Sequence, residues 1–248
     1  MHKGIYIIPN MITLGGLFFG FYSIIASVRG DFSVAAFAIL AAAICDMLDG
    51  KIARLIKADS KFGMELDSLV DLVAFGVAPA ILIYMWDLQQ YGRVGWMAAF
   101  LYVACGALRL ARFNIQSSGL SRYFNGLPIP AAAGIVCSYV IFQEHYFLDY
   151  SSPILVAALG YTLAFLMVSN VKYYSFKDMS IFRRKPFNIL VMVLLVFVLV
   201  GSYPELMIFV LAAAYGLSGI VGLIFQVGTH HPVTKHEENE YEQKNTRL

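Results

Sequence analysis

The chain has 248 residues, of which 59% are hydrophobic and only 14% are charged, and its formal net charge at pH 7 is +2. A soluble domain of this composition could not cover its surface with polar groups, which excludes the soluble globular class. The small net charge provides no basic surface for nucleic acid. The composition therefore predicts an integral membrane protein.

Eight apolar runs predict an all-α, polytopic bundle of transmembrane helices. They cover residues 5–28, 33–57, 66–86, 95–112, 128–147, 152–171, 186–203 and 205–227. The first six helices are expected to form one transmembrane core at 1–180, with two additional helices at 181–227. The remaining segment, 228–248, is polar and predicts a disordered tail.

The basic residues indicate how this bundle is oriented. With the N-terminus in the cytoplasm, all of the 18 Lys and Arg residues except Arg29 and Arg93 fall in cytoplasmic segments. Lys and Arg accumulate on the cytoplasmic side of membrane helices. We therefore expect both termini on the cytoplasmic face, together with the acidic residues at the junction of the second and third helices.

The first helix carries a polar pair near its start, in the segment Pro9-Asn10-Met-Ile-Thr13. Asn10 or Thr13 could cap free backbone amides at the beginning of a helix. Alternatively, the two side chains reach the headgroup of a substrate at the membrane surface. The residues alone leave both interpretations open.

Four aspartates, called the aspartate cluster below, lie at the facing ends of the second and third helices: Asp46, Asp49, Asp67 and Asp71. The spacings i, i+3 and i, i+4 place each pair on one face of its helix. At about 6 Å and an effective dielectric of about 20, each pair of carboxylates repels by nearly 3 kcal/mol. Bound cations would offset this repulsion, and hard oxygen ligands favour Mg²⁺, Mn²⁺ or Ca²⁺.

Small and basic residues lie between the two aspartate pairs. Gly50 and Ala53 are one helical turn apart and permit a ligand to approach the backbone closely. Arg54 supplies a fork of donors suited to phosphate oxygens. Carboxylates, cations and these residues together predict a diphosphate site. A cation transporter is an alternative, but its site should lie near mid-membrane rather than at one edge beside Arg54.

The spacing of this segment resembles a family signature, D-x2-D-G-x2-A-R-x8-G-x3-D-x3-D. The chain matches all eight fixed positions, namely Asp46, Asp49, Gly50, Ala53, Arg54, Gly63, Asp67 and Asp71. On these residues the chain resembles the CDP-alcohol phosphotransferase family. The Pro-Asn-x2-Thr opening of the first helix also resembles that family.

The resemblance implies roles for these residues. The aspartate cluster would hold two divalent cations, Mg²⁺ or Mn²⁺, and Asp71 would be the general base. The CDP-linked lipid donor would be bound by Asn10, Thr13, Asp49, Gly50, Ala53, Arg54 and Gly63. Family members are generally homodimers, so a homodimer is also expected.

Two later helices carry further signals. Pro79 lies inside the third predicted helix and should kink it. Arg109 and Arg112 share one face at the cytoplasmic end of the fourth helix. They either anchor that end to lipid phosphate, or face the aspartate cluster and bind the carboxylate of an acceptor alcohol.

Three further motifs resemble the phosphatidylserine synthase branch of the family. They are Leu-Arg-Leu-Ala-Arg-Phe-Asn at 108–114, Phe-x-Gly-Leu-Pro-x-Pro-Ala-Ala at 124–132 and Val-Ser-Asn-Val-Lys-Tyr-Tyr-Ser-Phe-Lys at 168–177. This branch implies transfer of a phosphatidyl group from CDP-diacylglycerol to L-serine, with release of CMP. Glycerol 3-phosphate or an inositol phosphate is an alternative acceptor, because the eight-residue signature concerns only the CDP-linked donor. The seventh and eighth helices are expected to provide packing or lipid contact and no chemistry.

Overall fold

The fold is a bundle of helices, seen in a computed structural model that describes residues 7–56, 60–116, 124–146, 153–169, 171–173, 206–207 and 209–217. Its main helices are α1 (Ile7–Arg29), α2 (Phe32–Leu55), α3 (Lys61–Asp71), α4 (Ala78–Trp86), α5 (Gly92–Gln116), α6 (Ile129–Tyr146) and α7 (Pro153–Val168). Shorter elements are a π-helical turn (Leu72–Val77), a 3₁₀ turn (Leu88–Tyr91) and two antiparallel two-residue strands, β1 (Phe124–Asn125) and β2 (Lys172–Tyr173). Residues 206–207 and 209–217 are also helical.

Four helical stretches in the described part of the chain are long and apolar enough to cross a membrane. They are Ile7–Arg29, Phe32–Leu55, Lys61–Trp86 and Leu88–Ile115, and α7 is a shorter apolar helix. The predicted helical class and the membrane-protein class are confirmed to this extent. The predicted span 186–203 and the tail 228–248 lie outside the described residues, so the number of eight spans stays a prediction.

The third predicted helix begins earlier than its predicted start at residue 66, which was wrong. Helix α3 begins at Lys61, because the Ser60 hydroxyl oxygen accepts a hydrogen bond of 3.0 Å from the Gly63 amide. An N-cap of this kind satisfies one of the free amides in the first helical turn. The cap allows a first turn that contains Lys61 and Gly63 to form ahead of the apolar run on which the prediction relied.

At Pro79, where the sequence predicted a kink, a side chain from another helix replaces the hydrogen bond that proline cannot make. Proline has no amide hydrogen, so it cannot donate to the carbonyl four residues earlier, on Phe75. The hydroxyl of Tyr102 on α5 donates to that carbonyl oxygen at 3.3 Å, and both side chains are buried. The π-helical turn lies immediately before Pro79. Tyr102 thus replaces the missing helical hydrogen bond and joins α5 to this turn.

Helix α1 brings the N-terminal residues onto the two helices that carry the acids, since it packs along α2 and against α3 and α4. The approach is close at Gly20, where a Cβ atom would lie only 2.8 Å from the Cα atom of Ala74 in the π-helical turn. Small residues at a helix interface allow two backbones to pack this closely.

The connection before α6 is joined to the end of α7. Strand β1 pairs with β2, and the Leu127 amide donates to the Leu166 carbonyl at 3.0 Å. Two of the three branch motifs, which are distant in sequence, therefore lie side by side.

The approach of α1 to the π-helical turn predicts the effect of one added methyl group. Gly20→Ala should cost about 1–3 kcal/mol, because its Cβ atom would overlap the backbone at Ala74. Gly134→Ala is the matched control, since no atom lies within 4 Å of a Cβ atom there. Thermal unfolding in detergent should show a lower Tm for Gly20→Ala only, and equal Tm values would contradict this account of the interface.

Candidate functional site

Three carboxylates converge where α2 meets α3. One oxygen atom from each of Asp46, Asp49 and Asp67 can be chosen so that all three lie within 4.8 Å of one another. Asp49 is buried and the other two are half-buried. The helical spacing turns Asp46 and Asp49 to the same side of α2, and the packing of α3 brings Asp67 to them.

Asp71, the fourth member of the aspartate cluster, is half-buried and lies beside the other three. It lines a narrow cleft together with Asp46, Asp49 and Asp67. Its carboxyl group is close enough to that of Asp46 for a hydrogen bond between the two side chains. The arrangement is therefore three convergent carboxylates with the fourth next to one of them.

The chemistry of this cluster fits divalent cations. The Oδ2 atom of Asp49 is buried and has no hydrogen-bond partner in the structure. At 4.8 Å and an effective dielectric of about 20, two carboxylates repel each other by about 3.5 kcal/mol. Cations with hard oxygen ligands would both satisfy the unpartnered oxygen and offset the repulsion. The residues present thus fit Mg²⁺ or Mn²⁺.

A cavity of about 240 Å³ opens beside the cluster. It is lined by Pro9, Asn10, Thr13, Asp49, Gly50, Ala53, Arg54, Ser60, Gly63, Met64 and Asp67. All seven residues predicted to bind the donor are in this lining. Ser60 and Met64 were missed from the sequence; the signal for Ser60 was its N-cap position, three residues before Gly63.

The part of the cavity lining that lies between α1 and α3 requires a small residue at position 63, where the chain has Gly63. A Cβ atom at this position would lie 3.0 Å from the Ser60 Oγ atom and 3.2 Å from the Asn10 Oδ1 atom. A larger residue would therefore push Asn10 away from α3. The Thr13 hydroxyl donates to the Pro9 carbonyl at 3.1 Å.

Arg54 lies at the cavity with its side chain folded back along α2. Its Nε atom donates to the Gly50 carbonyl oxygen at 2.7 Å. This hydrogen bond holds the stem of the side chain and leaves the two terminal nitrogens available for a ligand. The residue is exposed, so a soluble or interfacial ligand can reach it.

The two arginines of α5 lie in different environments. Arg109 is buried, its Nε atom has no hydrogen-bond partner, and its charge interacts with Asp71. Arg112 is half-buried one turn further on. Neither residue lines the 240 Å³ cavity. Arg109 thus interacts with the aspartate cluster without lining the cavity that Arg54 lines, and a pure anchoring role does not account for its burial.

A further polar contact joins α5 to α3 and was missed from the sequence. The Asn114 amide donates to the Ser68 hydroxyl at 3.0 Å, and Ser68 lies between two of the aspartates. The contact connects the end of the Leu-Arg-Leu-Ala-Arg-Phe-Asn motif to the helix that carries Asp67 and Asp71. The motif was visible in the sequence, but the partner of Asn114 was not.

Comparisons with known proteins identify a family to which the chain is similar. Residues 6–168 match the family model described as CDP-alcohol phosphatidyltransferase. A CDP-diacylglycerol–serine O-phosphatidyltransferase of Helicobacter pylori (strain J99) is 40% identical over 223 residues, which are 89% of this chain and 92% of the relative. The protein of that name in Bacillus subtilis (strain 168) is 39% identical over 68% of this chain and 91% of its own length. Archaetidylserine synthase of Methanothermobacter thermautotrophicus is 35% identical over 67% of this chain and 69% of its own length.

The cluster predicts direct binding of a divalent cation. Asp49→Asn should weaken Mn²⁺ binding by about tenfold or more, because a buried ligand loses its negative charge. Electron paramagnetic resonance of free Mn²⁺ would measure this on the full chain in detergent. Glu65→Gln, an exposed acid in the same region, is the matched control and should bind as the unchanged protein does. Equal affinity in both variants would place the cation elsewhere.

Proposed function

The chain belongs to the CDP-alcohol phosphatidyltransferase family, and we propose that it transfers the phosphatidyl group of CDP-diacylglycerol to the hydroxyl of L-serine and releases CMP. The observation that carries this proposal is that a cavity lined by Arg54 lies beside a cluster of carboxylates. The relatives named for serine transfer match up to 89% of the chain, which supports serine as the acceptor.

The donor side of the proposed site is the 240 Å³ cavity. Arg54 would donate to diphosphate oxygens through its terminal nitrogens, and Asn10 and Thr13 would contact the nucleotide. Gly50, Ala53 and Gly63 would let the ligand lie against the backbone of α2 and α3. The diacylglycerol chains require lipid, which fits a site at the end of membrane helices.

The proposed reaction is a single displacement. The serine hydroxyl oxygen attacks the phosphorus that carries diacylglycerol, the bond from that phosphorus to the CMP oxygen breaks, and the hydroxyl proton passes to a carboxylate oxygen of Asp71. When divalent cations are bound by the aspartate cluster, they supply electrostatic stabilisation of the diphosphate charge during the transfer. Two such ions, Mg²⁺ or Mn²⁺, belong to this proposal.

The acceptor side is proposed to include Arg109 and Arg112. A guanidinium can bind a carboxylate through two parallel hydrogen bonds. Arg109 is buried next to Asp71, so an amino acid held there would have its hydroxyl near the proposed base. Glycerol 3-phosphate or an inositol phosphate is the rival acceptor, since both are also anionic.

We also propose an orientation in the membrane and an oligomeric state for this protein. The accumulation of Lys and Arg in alternate segments supports a cytoplasmic position for both termini and for the active site. This side would give access to water-borne serine and ions. A homodimer, typical of the family, is part of the proposal.

The acceptor can be tested directly with purified protein in mixed micelles. Release of CMP from CDP-diacylglycerol should require L-serine and should not occur with glycerol 3-phosphate or an inositol phosphate. Asp71→Asn should lower kcat by about 10²–10⁴, because the proton acceptor is lost. Release with glycerol 3-phosphate alone would replace serine as the acceptor, and full activity of Asp71→Asn would exclude Asp71 as the base.

The two sides of the site predict opposite kinetic effects. Arg54→Ala should raise the KM for CDP-diacylglycerol by about tenfold or more, because a charge-assisted hydrogen bond to phosphate is lost. Arg109→Ala should raise the KM for serine by a similar factor and change the donor KM little, and Arg112→Ala should do so in the same direction. Steady-state kinetics with each substrate varied in turn would measure this. An equal effect of Arg109→Ala on both KM values would contradict the assignment.

A further inference from the structure

The C-terminal helical segment, residues 206–207 and 209–217, lies outside the part matched by the family model. It packs on α6. The ring of Phe209 stacks on that of Phe142 with centroids 5.1 Å apart. Seven residues later, a Cβ atom at Gly216 would lie 2.9 Å from the Ile135 Cδ1 atom. Because 209 lies beside 142 and 216 beside 135, the segment runs antiparallel to α6, back towards the end of the bundle that holds the aspartate cluster.

Tyr215 is the polar residue at the end of this segment nearest to the cluster. Its side chain is half-buried against the core. It interacts electrostatically with Arg109, which also interacts with Asp71. The Arg109 charge thus interacts both with the proposed base and with the C-terminal segment.

A buried guanidinium has five N–H donors in a fixed plane, and each needs an acceptor. The Nε atom of Arg109 has none among the described residues, so a hydrogen bond to the Tyr215 hydroxyl would come from a terminal nitrogen of the guanidinium. A phenolic oxygen is an acceptor on a stiff ring, which restricts the orientation of a guanidinium at small entropic cost. The apolar residues beside Tyr215 can pack but cannot accept a hydrogen bond.

We propose that Tyr215 is a positioning residue: its hydroxyl orients the Arg109 guanidinium towards the carboxylate of the acceptor, so that the C-terminal helix completes the acceptor side of the active site. This inference rests on the proposed function. It changes the role expected for the eighth helix from packing alone to packing with control of acceptor binding.

The test is Tyr215→Phe in the full chain, which keeps the ring and removes only the hydroxyl. The KM for serine should rise about five- to tenfold, as for the loss of one hydrogen bond, while the KM for CDP-diacylglycerol stays within about twofold. Tyr161→Phe is the matched control. The Tyr161 hydroxyl donates to the Val94 carbonyl at 3.3 Å, away from the aspartate cluster, and both KM values should stay unchanged.

A double-mutant cycle separates positioning from packing. In an Arg109→Ala background, Tyr215→Phe should have no further effect on the KM for serine, because the group it orients is absent. The same fold-change in both backgrounds, or an unchanged KM in Tyr215→Phe, would overturn the inference. If the unchanged protein releases no CMP with serine, the proposed function fails and this inference with it. Serine-dependent release together with an unaffected Tyr215→Phe would overturn this inference alone.

Discussion

Mutual repulsion of carboxylates at one end of an apolar bundle is the constraint on which the rest of this structure depends. Three of them come within 4.8 Å at the junction of α2 and α3, and one buried oxygen has no donor. Such a cluster is stable when cations balance its charge and neighbouring helices hold its members in place. Around the cluster, α1 packs against α2 and α3, α5 contacts α3 through Asn114 and Ser68, and each contributes polar residues of its own.

The close packing of α1 links helix geometry to the ligand cavity. Gly20 allows the backbone of α1 to meet the π-helical turn, and Gly63 allows Asn10 to meet the first turn of α3. A Cβ atom at Gly20 would overlap the backbone at Ala74, and one at Gly63 would force Ser60 or Asn10 to shift. The cavity lining beside Asn10 therefore requires a small residue at position 63, and the charge of the cavity comes from Arg54 and the cluster.

In our proposal the site has a donor side and an acceptor side that different parts of the chain supply. The donor side would come from α1 and from α2 and α3, the two helices that contain the eight-residue signature. The acceptor side would come from α5, through Arg109, and from Tyr215. A signature confined to the donor side explains why it identifies the family but leaves the acceptor open.

The sequence by itself determined the membrane class, the approximate end of α1 and seven of the residues that line the cavity. These depend on local properties: the hydropathy of a run, and the helical periodicity that turns Asp46 and Asp49 to one face. Only the tertiary structure decided that Ser60 starts α3 before the apolar run, that Arg109 faces Asp71, and that Asn114 meets Ser68. Each of these depends on which face of one helix meets another helix distant in sequence, or on a single capping hydrogen bond in a polar turn. Hydropathy carries no information about either, because it records how apolar a residue is and not what it touches.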